Sequence, residues 1–426
     1  MTQSVLIIGS GGREHALAKA FAKSAHVESV YVAPGNAGME LANGTTTPIQ
    51  CVPIEATDFE ALCQFVKEKA VAFTFVGPEI PLSQGIVDAF RSEGLAIVGP
   101  TQEAAQLESS KAFAKSMMQK AHVPTASYQT FEPENYDKAC AYAAQQGLPV
   151  VIKEDGLAAG KGVVIATTEQ EVAETLERFL LEQKTAIVIE TFLTGEEFSF
   201  FAFVNGTHVI PIGFARDYKR AYDHDEGLNT GGMGAFAPLT WGTPELEQEV
   251  LAKVVVPLAQ QMEKEGVPYT GVLYAGLMQT AQGIQVIEFN ARFGDPETQI
   301  LLPLLEQDLF EIVEAHLAQQ PITVSLSQNV SLGVVLAAEG YPQAPVSGMP
   351  IVFPADFPLE HVCFSGVKQT QDALVANGGR ILMVTAQAAT VEACRQKVYG
   401  LLDELTISQT FYRRDIGILP KRSEQS

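Results

Sequence analysis

Short apolar runs alternate with amphipathic helical stretches through the first hundred residues, and this alternation constrains the fold more than any single motif. Residues 5–8, 30–32, 73–76 and 96–98 read as strands, while 14–24, 59–69 and 83–93 carry helical periodicity. Strands this apolar have no face to offer water, so they belong in a parallel sheet with helices on both faces. A long helical stretch over residues 101–121 leads out of this unit. It ends at His122-Val123-Pro124, because the residue before a proline avoids the helical region.

From about residue 123 the pattern changes to α+β. Strands at 150–153, 162–167, 187–190 and 198–204 are joined by glycine-rich or polar turns, and a long glycine-rich loop, 217–234, precedes a helix starting near Pro244. Strands at 272–279 and 284–289 follow. A helix is then expected to begin at Asp295-Pro296-Glu297, with Asp as cap, Pro at the first helical position and Glu at the positive end of the dipole. After a softer segment, 320–328, comes a smaller α/β unit with strands at 332–337 and 380–385 and a helix at 391–405. The expected division is therefore 1–102, 103–325 with a smaller lobe at about 123–190, and 326–426.

Charge narrows the possible partners. The 426 residues hold 28 Lys plus Arg against 50 Asp plus Glu, a net of −22. That excess argues against a broad basic face for nucleic acid or an anionic membrane, but permits a small anionic ligand where cations are concentrated locally. The five cysteines are odd in number, scattered, and lack metal-ligand or Cys-x-x-Cys spacing, which suits core thiols in a reducing compartment. The chain starts on a strand-like run without a basic leader. Its longest uncharged stretch, 266–287, reads as a pair of strands rather than a membrane helix. A cytoplasmic location is expected.

Three segments suggest chemistry. Gly9-Ser10-Gly11-Gly12-Arg13-Glu14 follows the first strand, but Glu14 replaces the last glycine of a dinucleotide fingerprint, and no carboxylate follows the second strand. What survives is either a helix N-terminus holding one phosphate beside Arg13 or a tight strand-to-helix turn. Gly156-Leu157-Ala158-Ala159-Gly160-Lys161-Gly162 is not a P-loop: three residues separate its first two glycines and no hydroxyl follows the lysine. It reads as a flap between two strands that folds over phosphates with Lys153 at its base, or as a plain hairpin. Finally, alternation along residues 286–290 puts Glu288 and Asn290 on one face, with Ile287 and Phe289 on the other. Two hard oxygen donors suit Mg²⁺, and a polar strand end is the alternative. Arg292, just beyond, is a natural carboxylate receptor.

Together with Ala33-Pro34-Gly35-Asn36, Val76-Gly77-Pro78-Glu79, Ser110-Lys111-Ala112-Phe113, Asn229-Thr230-Gly231-Gly232-Met233-Gly234 and Glu288-Phe289-Asn290-Ala291-Arg292-Phe293-Gly294-Asp295-Pro296-Glu297-Thr298-Gln299, these segments resemble the phosphoribosylamine–glycine ligases. These are the glycinamide ribonucleotide synthetases of the ATP-grasp superfamily. Weaker echoes at Ser331-Leu332-Gly333 and Asn377-Gly378-Gly379-Arg380 carry the resemblance toward the C-terminus.

The resemblance implies an ATP-grasp fold behind an N-terminal parallel-sheet domain. It also implies ATP-dependent joining of glycine to 5-phosphoribosylamine through a glycyl phosphate, in purine synthesis. Position by position, it implies that Lys111, Lys153, Gly156, Gly160, Lys161 and Gly162 hold ATP phosphates and that Glu190, Thr191 and Leu193 form the adenine hinge. Glu197 would meet the ribose, and Glu288 with Asn290 would bind Mg²⁺ or Mn²⁺. Gly11, Gly12 and Arg13 would seat the sugar phosphate with Glu79 near its ribose, and Glu14, Gly35, Asn36, Thr230 and Gly231 would also bind substrate; Arg292 would grip the glycine carboxylate, and Asp217 would orient glycine or the attacking amine. The expected cleft is locally basic and the expected enzyme a monomer, with no nucleic-acid or membrane partner. Glu154, Leu228 and Ala291 depart from the usual pattern, and residues 273–279 bring no second metal carboxylate. Arg216, Lys219, Arg220 and His224 carry no assignment, and His15 is expected to pack or cap locally. The competing readings are another ATP-grasp carboxylate–amine ligase of purine metabolism and a nucleotide-binding regulator without turnover.

Overall fold

The structure, a computed structural model, describes residues 2–41, 44–158 and 162–418. Its first sheet has five parallel strands in the order Ile49–Cys51, Val27–Pro34, Gln3–Gly9, Phe73–Val76, Ile97–Val98. Alternation within the first strand explains the two covered faces. Val5 and Ile7 pack with Leu17 and Phe21 of the helix Gly12–Ala22, while Leu6 and Ile8 pack with Leu62 and Val66 of Phe59–Lys69 and with Phe90 of Ile86–Ser92. The strand order reverses between Gln3–Gly9 and Phe73–Val76. The crevice at their carboxyl ends is where open α/β sheets receive ligands, and the residues following these strands include Gly11, Arg13 and Glu79.

Several expected boundaries shift for local reasons. The helix expected at 83–93 is two helices, Glu79–Ser83 and Ile86–Ser92, separated at Gly85, whose φ of +89° favours glycine. The expected helix 101–121 is also two, Gln106–Ser109 and Lys111–Lys120. Ser110 between them is extended, and its hydroxyl accepts the Phe113 N–H, capping the second helix and placing Lys111 at its first position. The three-residue edge strand Ile49–Cys51 was too short to stand out in the sequence.

A four-stranded antiparallel sheet, ordered Tyr128–Phe131, Ile187–Thr191, Val150–Glu154, Val163–Ala166, forms the smaller lobe. Its core joins Ile152, Ile187 and Ile189 to Ala139, Ala143 and Leu176 of the helices Tyr136–Gln146 and Glu169–Leu176. The largest sheet has nine antiparallel strands. Eight run in the order Gly283–Asn290, Thr270–Thr280, Glu196–Asn205, His208–Asp217, Gly234–Ala237, Val330–Ala338, Arg380–Ala388, Val362–Phe364, and Thr410–Phe411 pairs with Val330–Ala338. The strand Gly234–Ala237 therefore joins the middle and C-terminal portions in one ladder. The strand His208–Asp217 was not expected, because Pro211 sits mid-strand. The register irregularity at Phe201/Ala202 lies opposite it.

The segment read as a loop, 217–234, contains a small ladder between Arg220–Tyr222 and Glu226–Asn229. The helix expected from Asp295 starts at Thr298 and spans only Thr298–Leu301, without a side-chain cap. The Asp295 carboxylate is engaged elsewhere, by the Arg13 N–H, Gln299 Nε2 and Arg380. All five cysteines are free thiols; Cys63, Cys363 and Cys394 are buried, and Cys51 and Cys140 are half-buried. Among the described residues, no helix is long and apolar enough to cross a membrane.

Candidate active site

A cavity of about 1090 Å³ opens where the switch point of the first sheet, the smaller lobe and the nine-stranded sheet meet. It collects Arg13, Glu79, Lys111, Lys153, Gly156, Gly162, Glu190, Thr191, Leu193, Glu197, Asp217, Thr230, Gly231, Glu288, Asn290 and Arg292 of the expected set. Gly160 and Lys161 lie outside the described residues.

One wall is built on a buried charge trio. Lys153 Nζ lies 3.0 Å from Glu190 Oε1 and donates to the Ile287 carbonyl at 3.0 Å. Lys115 Nζ lies 3.1 Å from Glu190 Oε2 and donates to Thr125 Oγ1 at 2.7 Å. Two ammonium groups thus share one carboxylate. Glu190, expected at the adenine hinge, is the counter-ion of this wall. Lys115 had no sequence signal beyond its helix. Burial lowers its pKa to about 8, against the pull of Glu190. Lys111 Nζ donates to the Gly156 carbonyl at 2.9 Å, and Asp155 accepts from Ser110 Oγ and the Ala112 N–H, both at 3.2 Å. The hairpin base is therefore tied to the start of the helix Lys111–Lys120. Glu154 does not line the cavity.

The Glu288–Asn290 face follows from register. Asn290, Phe289 and Glu288 pair in sequence with Tyr274, Ala275 and Gly276, so Glu288 and Asn290 share a side. The ladder then skips Ile287, and this bulge presents the Ile287 carbonyl to Lys153, interrupting the alternation expected for 286–290. Lys219 Nζ contacts Glu197 Oε1 and lies 3.6 Å from Glu288 Oε1. Burial would raise the Glu288 pKa, but Lys219, Lys153 and Lys111 hold it below the ordinary carboxylate value. Among the described residues, no group of three His, Cys, Asp or Glu could hold a metal. Two protein oxygens facing an open cavity fit a small hard cation that fills its shell with water and phosphate.

The floor holds a polar cluster that the sequence reading missed. Ser199 Oγ lies 3.0 Å from Tyr274 Oη and 3.2 Å from Glu297 Oε1. Burial, opposed by Lys219 and reinforced by Glu297 and Glu197, pushes the Asp217 pKa up to about 8. Burial raises Glu297 as well. In the sequence Glu297 signals only the positive end of a helix dipole. Tyr274 carried no signal.

Arg292 is clamped: Nε lies 3.3 Å from Glu79, Nη2 lies 2.6 Å from Glu108, and Nη1 donates to the Phe293 carbonyl at 3.2 Å. Glu108 was not anticipated; it also accepts the Ala291 N–H at 2.7 Å. Burial raises the Glu108 pKa despite Arg292, whereas at Glu79 Arg292 and Arg13 overcome burial and lower it. Arg380, seen only as a weak motif echo, reaches the cavity from the C-terminal portion. It donates to the carbonyls of Gly231 at 2.8 Å and Asp295 at 2.7 Å. Thr230 Oγ1 donates to the Lys219 carbonyl at 2.8 Å and accepts the Gly232 N–H at 2.9 Å.

Three expected features carry contacts within the protein that the sequence does not announce. The helix N-terminus at Gly11–Arg13 is filled by the protein's own carboxylates: Gly11 N–H donates to Glu14 at 2.5 Å and Arg13 N–H to Asp295 at 3.1 Å. The Arg13 side chain is held by Glu14 at 2.7 Å and the Phe293 carbonyl at 2.9 Å. Gly12 permits a close approach instead, since a Cβ there would lie 2.6 Å from both Gln299 Nε2 and Ser365 Oγ. Gly35 and Asn36 line a separate hollow of about 400 Å³. The Asn36 amide is spent on the Ser10 and Phe364 carbonyls and the Gly38 N–H. Finally, the cavity is balanced rather than basic: nine Lys and Arg line it against ten Asp and Glu among the described residues.

Comparison with known proteins decides the kinship. Residues 3–108, 109–298 and 331–419 match the N, ATP-grasp (A) and C domains of phosphoribosylglycinamide synthetase, in that order. The chain belongs to the phosphoribosylglycinamide synthetase family. A phosphoribosylamine–glycine ligase of Halalkalibacterium halodurans is 45% identical over 97% of this chain and 96% of the relative. Among solved structures, the phosphoribosylamine–glycine ligase of Thermotoga maritima is similar with a TM-score of 0.84 and 34% identity, covering 97% of this chain and all of that one. The biotin carboxylase domain of Hydrogenobacter thermophilus 2-oxoglutarate carboxylase, crystallised with MgADP and bicarbonate, shares the fold alone. Its TM-score is 0.70 at 17% identity, over 97% of this chain and 92% of that domain.

Proposed function

We propose that this chain catalyses ATP-dependent ligation of glycine to 5-phosphoribosylamine, giving glycinamide ribonucleotide, ADP and phosphate for purine synthesis. The observation that carries this is the end-to-end family match over a chain whose switch-point crevice and ATP-grasp face open on one cavity. Residues 1–102 would then serve the sugar phosphate, 103–325 (with the lobe at about 123–190) ATP, and 326–426 would close the site. The enzyme is read as a cytoplasmic monomer, and the free thiols support the reducing compartment.

A carboxylate resists attack by an amine until one oxygen becomes a leaving group. The glycine carboxylate oxygen attacks the γ-phosphorus of ATP, ADP departs, and glycyl phosphate forms. The amine of phosphoribosylamine then adds to the glycyl carbonyl, phosphate leaves with a glycine oxygen, and the amine loses a proton. Lys111 and Lys153 offset the charge on the transferring phosphoryl oxygens, with Lys153 held in place by Glu190 and the Ile287 carbonyl. Backbone groups of Thr191 and Leu193 would read the base edge of adenine, and the donor falls to Leu193 because the Thr191 N–H is already given to the Ser127 carbonyl. Glu197 receives the ribose. Glu288 and Asn290 would hold Mg²⁺ or Mn²⁺, which when bound neutralises phosphate charge. Arg292 faces the glycine carboxylate, and its two clamping carboxylates fix the direction of its fork. Asp217 and Glu297, which line the same cavity, are assigned the proton that the amine loses.

Glycine labelled with ¹⁸O in its carboxylate tests this route. One labelled oxygen should appear in the phosphate released; unlabelled phosphate alongside ligated product would contradict the acyl phosphate.

A further inference from the structure

Lys219 has no part in the expected machinery, yet it lines the cavity beside the Glu288–Asn290 pair. Its ammonium contacts Glu197 and stands 3.6 Å from Glu288, and among the described residues it is the cation paired with Glu288 within 4 Å. Lys153 is committed to Glu190 and Ile287, and Lys111 to Gly156. The backbone of Lys219 is pinned, since its carbonyl accepts both the N–H of Thr230, at 2.7 Å, and its hydroxyl, at 2.8 Å. The neighbouring Tyr218 hydroxyl accepts the Gly417 N–H at 3.0 Å. With the backbone fixed, the flexible four-carbon stem is the part that can carry the ammonium from Glu197 and Glu288 to another anion.

We infer that Lys219 is a stand-in cation, neutralising Glu288 in the unliganded protein and making divalent-metal binding at Glu288 and Asn290 depend on nucleotide. A dication arriving alone meets a positive charge already paired with its carboxylate. Nucleotide phosphates remove that conflict, because they offer Lys219 a second set of oxygens while bridging to the metal. The site then takes metal and triphosphate together and resists free metal. This inference rests on the reading of Glu288 and Asn290 as the metal pair, and the test separates the two.

The experiment is Mn²⁺ binding to the full-length protein, followed by electron paramagnetic resonance of the free ion, without nucleotide and with a non-hydrolysable ATP analogue. Lys219→Met should bind Mn²⁺ alone about tenfold tighter or better, the size expected for removing a unit charge a few ångströms from a dication in a solvated cavity. Lys219→Arg, which keeps the charge, should match the wild type. With the analogue present, the Lys219→Met advantage should vanish or reverse. A Lys219→Gln variant replaces Lys219→Met where the latter fails to give a native unfolding transition. Unchanged or weaker Mn²⁺ binding by the neutral variants, with Glu288→Gln still abolishing Mn²⁺ binding beside the analogue, would overturn the stand-in role and leave the metal pair intact. Glu288→Gln binding Mn²⁺ normally beside the analogue would overturn both.

Discussion

Arg292 shows how a single residue serves both fold and chemistry. Its guanidinium balances Glu79 and Glu108 in a site where unpaired carboxylates would be costly. Removing one partner of such an arrangement typically costs about 3–5 kcal/mol, because the remaining charges lose their partner. Arg292→Ala is therefore expected to lose stability of about that size in denaturant unfolding, besides its effect on glycine use. A stability within 1 kcal/mol of wild type would show the clamp to be dispensable. His316 gives a second prediction at this scale. It is fully buried against Phe203, and burial, aided by His208 and Arg91, lowers its pKa to about 4. The unfolded chain therefore takes up a proton near pH 6.5 that the folded chain refuses until about pH 4. Stability from this group is full above 6.5 and is lost as pH falls toward 4. Between pH 7 and 5 the wild type should lose roughly 2 kcal/mol more than His316→Leu; equal losses would reject this account. The motif residues Lys153, Glu288 and Arg292 were legible because their chemistry depends on local order along the chain. Glu108, Lys115, Tyr274 and Arg380 were not, since only the tertiary fold brings them to the cavity.

Among the elements, the break at Ser110 matters most. A continuous helix over 101–121 would bury Lys111 mid-helix. The extended Ser110 instead starts a new helix, whose first N–H groups meet Ser110 and Asp155. The break was hidden in the sequence because Ser110 lies in an otherwise helical pattern, and a cap is recognised only once its geometry is known. Asp155 thereby ties the hairpin between Val150–Glu154 and Val163–Ala166 to the helix carrying Lys111. Asp155→Ala should raise the KM for ATP about tenfold while costing about 1 kcal/mol of stability, the usual value of a lost helix cap. A KM for ATP unchanged within a factor of two would show that the tie does not position the flap. The switch-point crevice was legible for the opposite reason: parallel strand order follows from alternation, and ligand position follows from strand order.

Across the whole molecule, acid and base are distributed rather than merely counted. Among the described residues, nine Lys and Arg line the cavity with ten carboxylates in answer, while the chain as a whole carries −22. The anticipated basic cleft is thus a nearly neutral one in which cations are concentrated and several are held by internal carboxylates or carbonyls. Substrate phosphates would exchange with internal carboxylates for those cations, rather than enter an empty positive field. The excess acid lies mostly outside the cavity, where it favours solubility and disfavours nucleic acid. The most direct test of the central claim is ADP release by the purified protein with ATP, Mg²⁺, glycine and freshly made 5-phosphoribosylamine, each omitted in turn. Sustained release should require all four and should match glycinamide ribonucleotide formed one for one. Release that continues without glycine, or that requires a different amino acid, would contradict the assignment.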